Sequence, residues 1–180
     1  MFLILTLGLC STVSAQEVKL LEGDIKPLKG QTILRTEFTY DGMIVGNSNV
    51  PEKDFITYRK SVLNEKEAGR GDVWEKAWID DRRERFEPEF RELFAKYSGI
   101  STLGDEKTPY TLIFKTTHTE PGFYDGGTLP PSIDGEAWIV ETANPAHVLA
   151  KITVLKSPGR GPGYARAGRS IGQLFKKELQ

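Results

Sequence analysis

The only cysteine in this chain is Cys10, and it lies in a leader that carries no charge. The leader, MFLILTLGLCSTVSA, is apolar from Phe2 to Cys10 apart from Thr6 and Gly8. Val13 and Ala15 occupy the small-residue positions of an A-x-A-like cleavage site, so residues 1–15 read as a secretory signal peptide. The apolar run is too short to persist as a transmembrane helix. Lipid attachment at Cys10 is the alternative, but Leu9 is bulkier than the residue such a site prefers, which favours cleavage after Ala15. An exported chain without cysteine has no disulfide to staple it. Its fold must then rest on apolar burial alone.

The chain beyond residue 15 is long enough for one domain with a sizeable core. The formal charge of −1 gives no long-range attraction to nucleic acid or an anionic membrane. No later segment is apolar enough to cross a bilayer. Neither a nucleic-acid partner nor a transmembrane segment in the mature chain is expected.

The mixture of Gly, Pro and charge at 16–31 reads as a lead-in, and 32–180 as a single domain. In TILRTEFTY, residues 32–40, Leu34, Thr36, Phe38 and Tyr40 alternate with Arg35, Glu37 and Thr39, as in a half-buried strand. Asp41-Gly42 suits a tight turn. Asn49 and Pro51 open a helix with Phe55, Tyr58, Arg59, Val62 and Leu63 on one stripe, ended by Gly69. Asp72 can cap the next helix, which begins with Trp74, Ala77 and Trp78, passes through DDRRER and resumes with Phe86, Phe90, Leu93, Phe94 and Tyr97. Pro88 predicts a kink or a break there.

YTLIFKTTH (110–118) reads as a strand that places His118 on the face of Tyr110, Leu112 and Phe114. Residues 133–142 and 147–155 read as a hairpin, and YARAGRSIGQLFKKEL as a last helix. Gly168 and Gly172, four apart, predict a close approach of that helix to a sheet. The element order predicts an α+β fold: a mostly antiparallel sheet of about four to five strands, with helices on one face in a two-layer sandwich.

The signal peptide, YTLIFKTTHTEPG, WIVETANPAHVLAKITV and YARAGRSIGQLFKKEL together resemble a group of small exported proteins of Bacteroides-type bacteria that have no assigned activity. The last seventy residues resemble, more loosely, the α/β domain of envelope lipoproteins of the curli-secretion and penicillin-binding-protein-activator kind. That resemblance implies a polypeptide that binds or assembles in the periplasm or outer envelope of a Gram-negative bacterium, with secretion as the alternative. It transfers no catalytic residue.

The chemistry-bearing residues are few. His118, Glu120 and Asp125 lie in KTTHTEPGFYDGG and could serve as ligands or as an acid–base group. A strand end running out through Pro121 and Gly122 accounts for them more simply. His118 and His147 lack a nucleophile on a sharp turn, since there is no G-x-S-x-G. The acids Asp80, Asp81, Glu87 and Glu89 alternate with arginines at ion-pairing spacing. KSPGRGPGYAR precedes a helix and could hold an anion on backbone N–H groups. Trp74 and Trp78, one turn apart, could stack on a sugar ring, though their spacing equally suits a core or a partner groove.

No metal site and no cofactor are expected. The reading is a non-catalytic exported envelope protein that binds an unidentified envelope protein or small ligand through Tyr124, Arg160 and Tyr164. The alternative is a hydrolase of glycan or another envelope polymer using His118, Glu120 and Asp125.

Overall fold

The computed structural model describes residues 16–124, 128–158 and 166–180. In chain order the elements begin with β1 (Glu17–Gly23), a 3-10 turn (Lys26–Leu28), β2 (Arg35–Thr39), β3 (Ile44–Val45) and β4 (Val50–Pro51). Three helical segments come next: α1 (Glu52–Lys66), α2 (Arg70–Asp81) and α3 (Glu87–Ser98). The chain then forms β5 (Tyr110–Glu120), β6 (Phe123–Tyr124), β7 (Thr128–Leu129), β8 (Ser132–Glu141), β9 (Asn144–Pro158) and α4 (Arg166–Leu179).

The sheet corrects the expectation of four to five mostly antiparallel strands. It has seven strands and it is mixed. β1, β9, β8 and β5 run antiparallel in that order. On the far edge of β5, β2 pairs in parallel with Thr111–Lys115, and β3 pairs in parallel with His118 and Thr119. β4 closes that edge on β3. The parallel pairing has a simple cause. A strand that returns beside its predecessor in the same direction needs a long crossover, and α1 to α3 supply it. The opposite edge strand, β1, falls inside the segment read as a lead-in. Its Val18 and Leu20 pack against the core while Glu17 and Lys19 stay exposed.

One face of the sheet carries α3 and α4. Between them lies a core built on Phe90, Phe94, Leu112, Phe114, Ile139, Ile152, Ile171 and Phe175, all fully buried. The rings pack closely: Phe90–Phe114 centroids are 4.9 Å apart and tilted, while Phe38–Phe90 at 5.2 Å and Phe94–Phe175 at 5.1 Å meet edge to face. Gly168 and Gly172 do make a close approach, but to α3. A Cβ on Gly168 would stand 2.3 Å from the Phe90 carbonyl oxygen, and one on Gly172 2.8 Å from that of Phe94.

α2 runs into α3 without a break. The join, Arg82–Phe86, is π-helical, and the Glu87 N–H reaches the Arg82 carbonyl. Pro88 explains the widened turn, because proline has no N–H to give to residue 84 and its ring crowds that carbonyl. α1 and α2 form a tight hairpin. Gly71 lets α2 touch α1, since a Cβ there would lie 2.3 Å from the Lys60 carbonyl oxygen. Lys60 Nζ bridges Asp72 and Glu75 at 2.8 Å each. Asp72 therefore sits within α2 as an ion-pair partner of α1, past the capping position.

Candidate functional site

The α1–α2 hairpin stands beside the end of the sheet where β5 leaves it, and two hollows open there. The first, of about 270 Å³, lies between α2 and the strands and is lined by Tyr40, Trp74, Trp78, Arg82, Thr116 and Thr119 among others. The second, of about 470 Å³, is lined by Phe55, Tyr58, Arg59, Trp74, Trp78, Glu120 and the Gly46–Ser48 turn, with Pro121 and Gly122. Trp74 and Trp78 line both hollows, so the two indoles form the ridge of one cleft.

The ridge is held from beneath. Trp74 and Trp78 are 5.6 Å apart between centroids, and Phe55 of α1 packs on both at 5.9 and 5.4 Å. The Trp78 indole N–H donates to Glu52 Oε1 at 2.6 Å. The same carboxylate binds the Arg82 guanidinium, which lies 4.1 Å over the Tyr40 ring. Tyr40 in turn donates its hydroxyl to Glu87 Oε1 at 3.3 Å. Burial raises the Tyr40 pKa, the Glu87 charge raises it further, and Arg82 opposes them. The phenol stays neutral and remains a donor. This chain of contacts fixes the α2 face that carries the indoles.

Two buried polar groups line the cleft. Thr116 is 2 % exposed, and its Oγ1 has no hydrogen-bond partner among the described residues. Glu120 is 7 % exposed, and its Oε1 accepts the Gly122 N–H at 2.9 Å. A register shift in β5 between Thr116 and His118 produces this placement. The extra residue changes the alternation, so Thr116 and Thr119 both reach the first hollow.

The same irregularity removes His118 from the face predicted for it. Its Nε2 lies 3.2 Å from the Gly46 carbonyl, which can only accept, so Nε2 carries the proton. Its Nδ1 is buried, with no hydrogen bond among the described residues, 3.7 Å from Asp134 Oδ2 on β8. His118 lines neither of the two hollows, so it does not meet Glu120 there. Asp125 lies outside the described residues, as do Arg160 and Tyr164. Tyr124 belongs to β6, and its side chain is outside the described residues too.

His147 is half exposed beside Glu141, at 3.0 Å, near the turn of the β8–β9 hairpin. That is on the order of 20 Å along β8 from His118, at the rise per residue of a strand. Among the described residues no group of three His, Cys, Asp or Glu could hold a metal, and no helix is long and apolar enough to cross a membrane.

The sequence singled out Glu120 and the tryptophan pair separately. Their meeting in one cleft depends on the parallel β3–β5 pairing, which no local pattern announces. Thr116 gave no signal at all, because a threonine in a strand is ordinary.

No protein-family model matches the chain, and no curated protein matches it. Among solved structures, a PelC dodecamer from Paraburkholderia phytofirmans is similar with a TM-score of 0.42 at 10% identity, over 92% of this chain and 98% of that one. A point variant of the same dodecamer gives a TM-score of 0.40 at 11% identity, over 91% and 98%. Likeness at this level assigns neither a family nor a function.

Proposed function

We propose that the protein is a non-catalytic exported envelope protein that acts by binding, and that the Trp74–Trp78 cleft is its recognition surface. One observation carries the reading: two adjoining hollows share the Trp74–Trp78 pair, and each has a buried polar residue in its wall, Thr116 in one and Glu120 in the other. Aromatic walls with a few convergent polar groups are the usual make-up of a binding site. The aromatic side chains supply contact area, and Glu120 supplies direction. The fixed ridge lowers the entropy lost on binding. The resemblance to small exported proteins supports the envelope as the setting.

Co-sedimentation with isolated cell envelope tests this. The protein should pellet with the envelope, and Trp74→Ala should weaken that retention about tenfold while leaving the envelope polymers intact. Release of soluble fragments by the wild-type protein, or retention indifferent to Trp74→Ala, would overturn the reading.

A further inference from the structure

We infer that the second hollow recognises an organic cation, an ammonium group carried on an apolar or sugar framework. The inference rests on the binding reading above and gives it a ligand chemistry. Glu120 is the starting point. The residue lines the hollow and is 7 % exposed, and among the described residues its Oε1 accepts one backbone N–H, that of Gly122. Among the described residues it forms no ion pair. A carboxylate withdrawn this far from water is costly unless several donors or a cation compensate it. That N–H fills one of about four acceptor sites on an ionised carboxylate.

The walls select the same sign of charge. Phe55, Tyr58, Trp74 and Trp78 line this hollow, and aromatic faces carry the negative lobe of the ring quadrupole. Carboxylate and rings together attract a cation and repel an anion. A neutral ligand would bury Glu120 further without compensating it. Arg59 lines the hollow too, but its side chain is exposed, where water and salt screen its charge. The first hollow differs, because Arg82 and Arg85 line it. Both guanidiniums are engaged there, by Glu52 and Asp81 respectively. The cationic end of a ligand is therefore directed to the Glu120 side of the tryptophan ridge.

The test is a matched-pair titration. In a Trp138→Phe background, Trp74 and Trp78 are the sole indole emitters. Choline is compared with the alcohol in which carbon replaces its ammonium nitrogen, and glucosamine with glucose. At least one cation should bind about tenfold or more tighter than its neutral partner. Glu120→Gln should abolish that preference, because the amide carries no charge although its oxygen can still accept the Gly122 N–H. A preference in the choline pair identifies a quaternary ammonium source, and one in the glucosamine pair an amino sugar. The wild-type comparison stands without the variant if Glu120→Gln fails to fold. Equal binding of both members of each pair would overturn the cation inference and leave the binding reading in place. Absence of any response to all four probes would overturn the cation inference as well, and envelope retention lost in Trp74→Ala would then keep the binding reading alone.

Discussion

Gly168→Ala isolates the contact that joins α4 to α3. The new Cβ would stand 2.3 Å from the Phe90 carbonyl oxygen, 3.0 Å from its carbon and 3.1 Å from the Phe90 Cα. All three are backbone atoms inside a helix and cannot swing aside. Reaching an ordinary contact distance requires the two helices to part by about 1 Å, and a gap of that size forfeits a quarter to a half of each dispersion contact it opens. The Phe94–Phe175 pair, at 5.1 Å, and buried Ile171 sit in the same interface. Overpacking of this kind costs about 1–3 kcal/mol. The better helix propensity of alanine returns about 1 kcal/mol.

The net expectation is a loss of up to about 2 kcal/mol, or a fall in Tm of up to roughly 8 °C for a chain of this size. Gly172→Ala, where the contact is 2.8 Å, should lose less. Thermal and urea unfolding followed by circular dichroism would measure both. A rise in Tm for Gly168→Ala would leave helix propensity as the only active term and would refute the close helix contact.

Thr116→Val should hold stability or raise it by up to about 1 kcal/mol, because it removes a buried hydroxyl that has no partner among the described residues. The same change should weaken any ligand that occupies the first hollow. A loss of more than about 1 kcal/mol in urea unfolding would mean that the hydroxyl is satisfied within the protein. Hydrogen bonds from Lys60 and then Asn64 hold the Asp72 carboxyl below the usual carboxylate range. Its folded pKa lies below the unfolded value of about 3.9, so its contribution is present above that pH and is lost as pH falls through the folded value. Asp72→Asn should therefore flatten the acid limb of the stability curve below about pH 4. An unchanged acid limb in the variant would show that the bridge does not couple to folding.

Local periodicity exposed some elements and concealed others. Phe86, Phe90 and Phe94 recur at four-residue spacing, and all three are buried in α3 or the turn before it. The alternation of Leu34, Phe38 and Tyr40 against Arg35 and Glu37 marks the core face of β2, because side chains in a strand point to opposite faces in turn. β1 stayed hidden because charge and a following Gly and Pro outweigh a four-residue apolar alternation. Its stability comes from β9, more than a hundred residues later. The parallel pairing of β2 with β5 was also illegible as a register, although the intervening helices are the crossover that such a pairing requires. His118 was misplaced by a single irregularity, since one extra residue in a strand reverses every alternation beyond it. The site was visible only as fragments, because its pieces come from α1, α2, β3 and β5.

The proposed recognition surface is the tryptophan ridge and not the exposed side of β9. Ala77 lines the first hollow on the exposed side of α2, whereas Leu155 is 39 % exposed on β9, in the opposite phase to buried Val154. A photoreactive side chain at each position, irradiated in intact cells, compares the two surfaces directly. Adducts from Ala77 that disappear with Trp74→Ala, with none from Leu155, are the predicted result. The same adducts from Leu155 with none from Ala77 would contradict it.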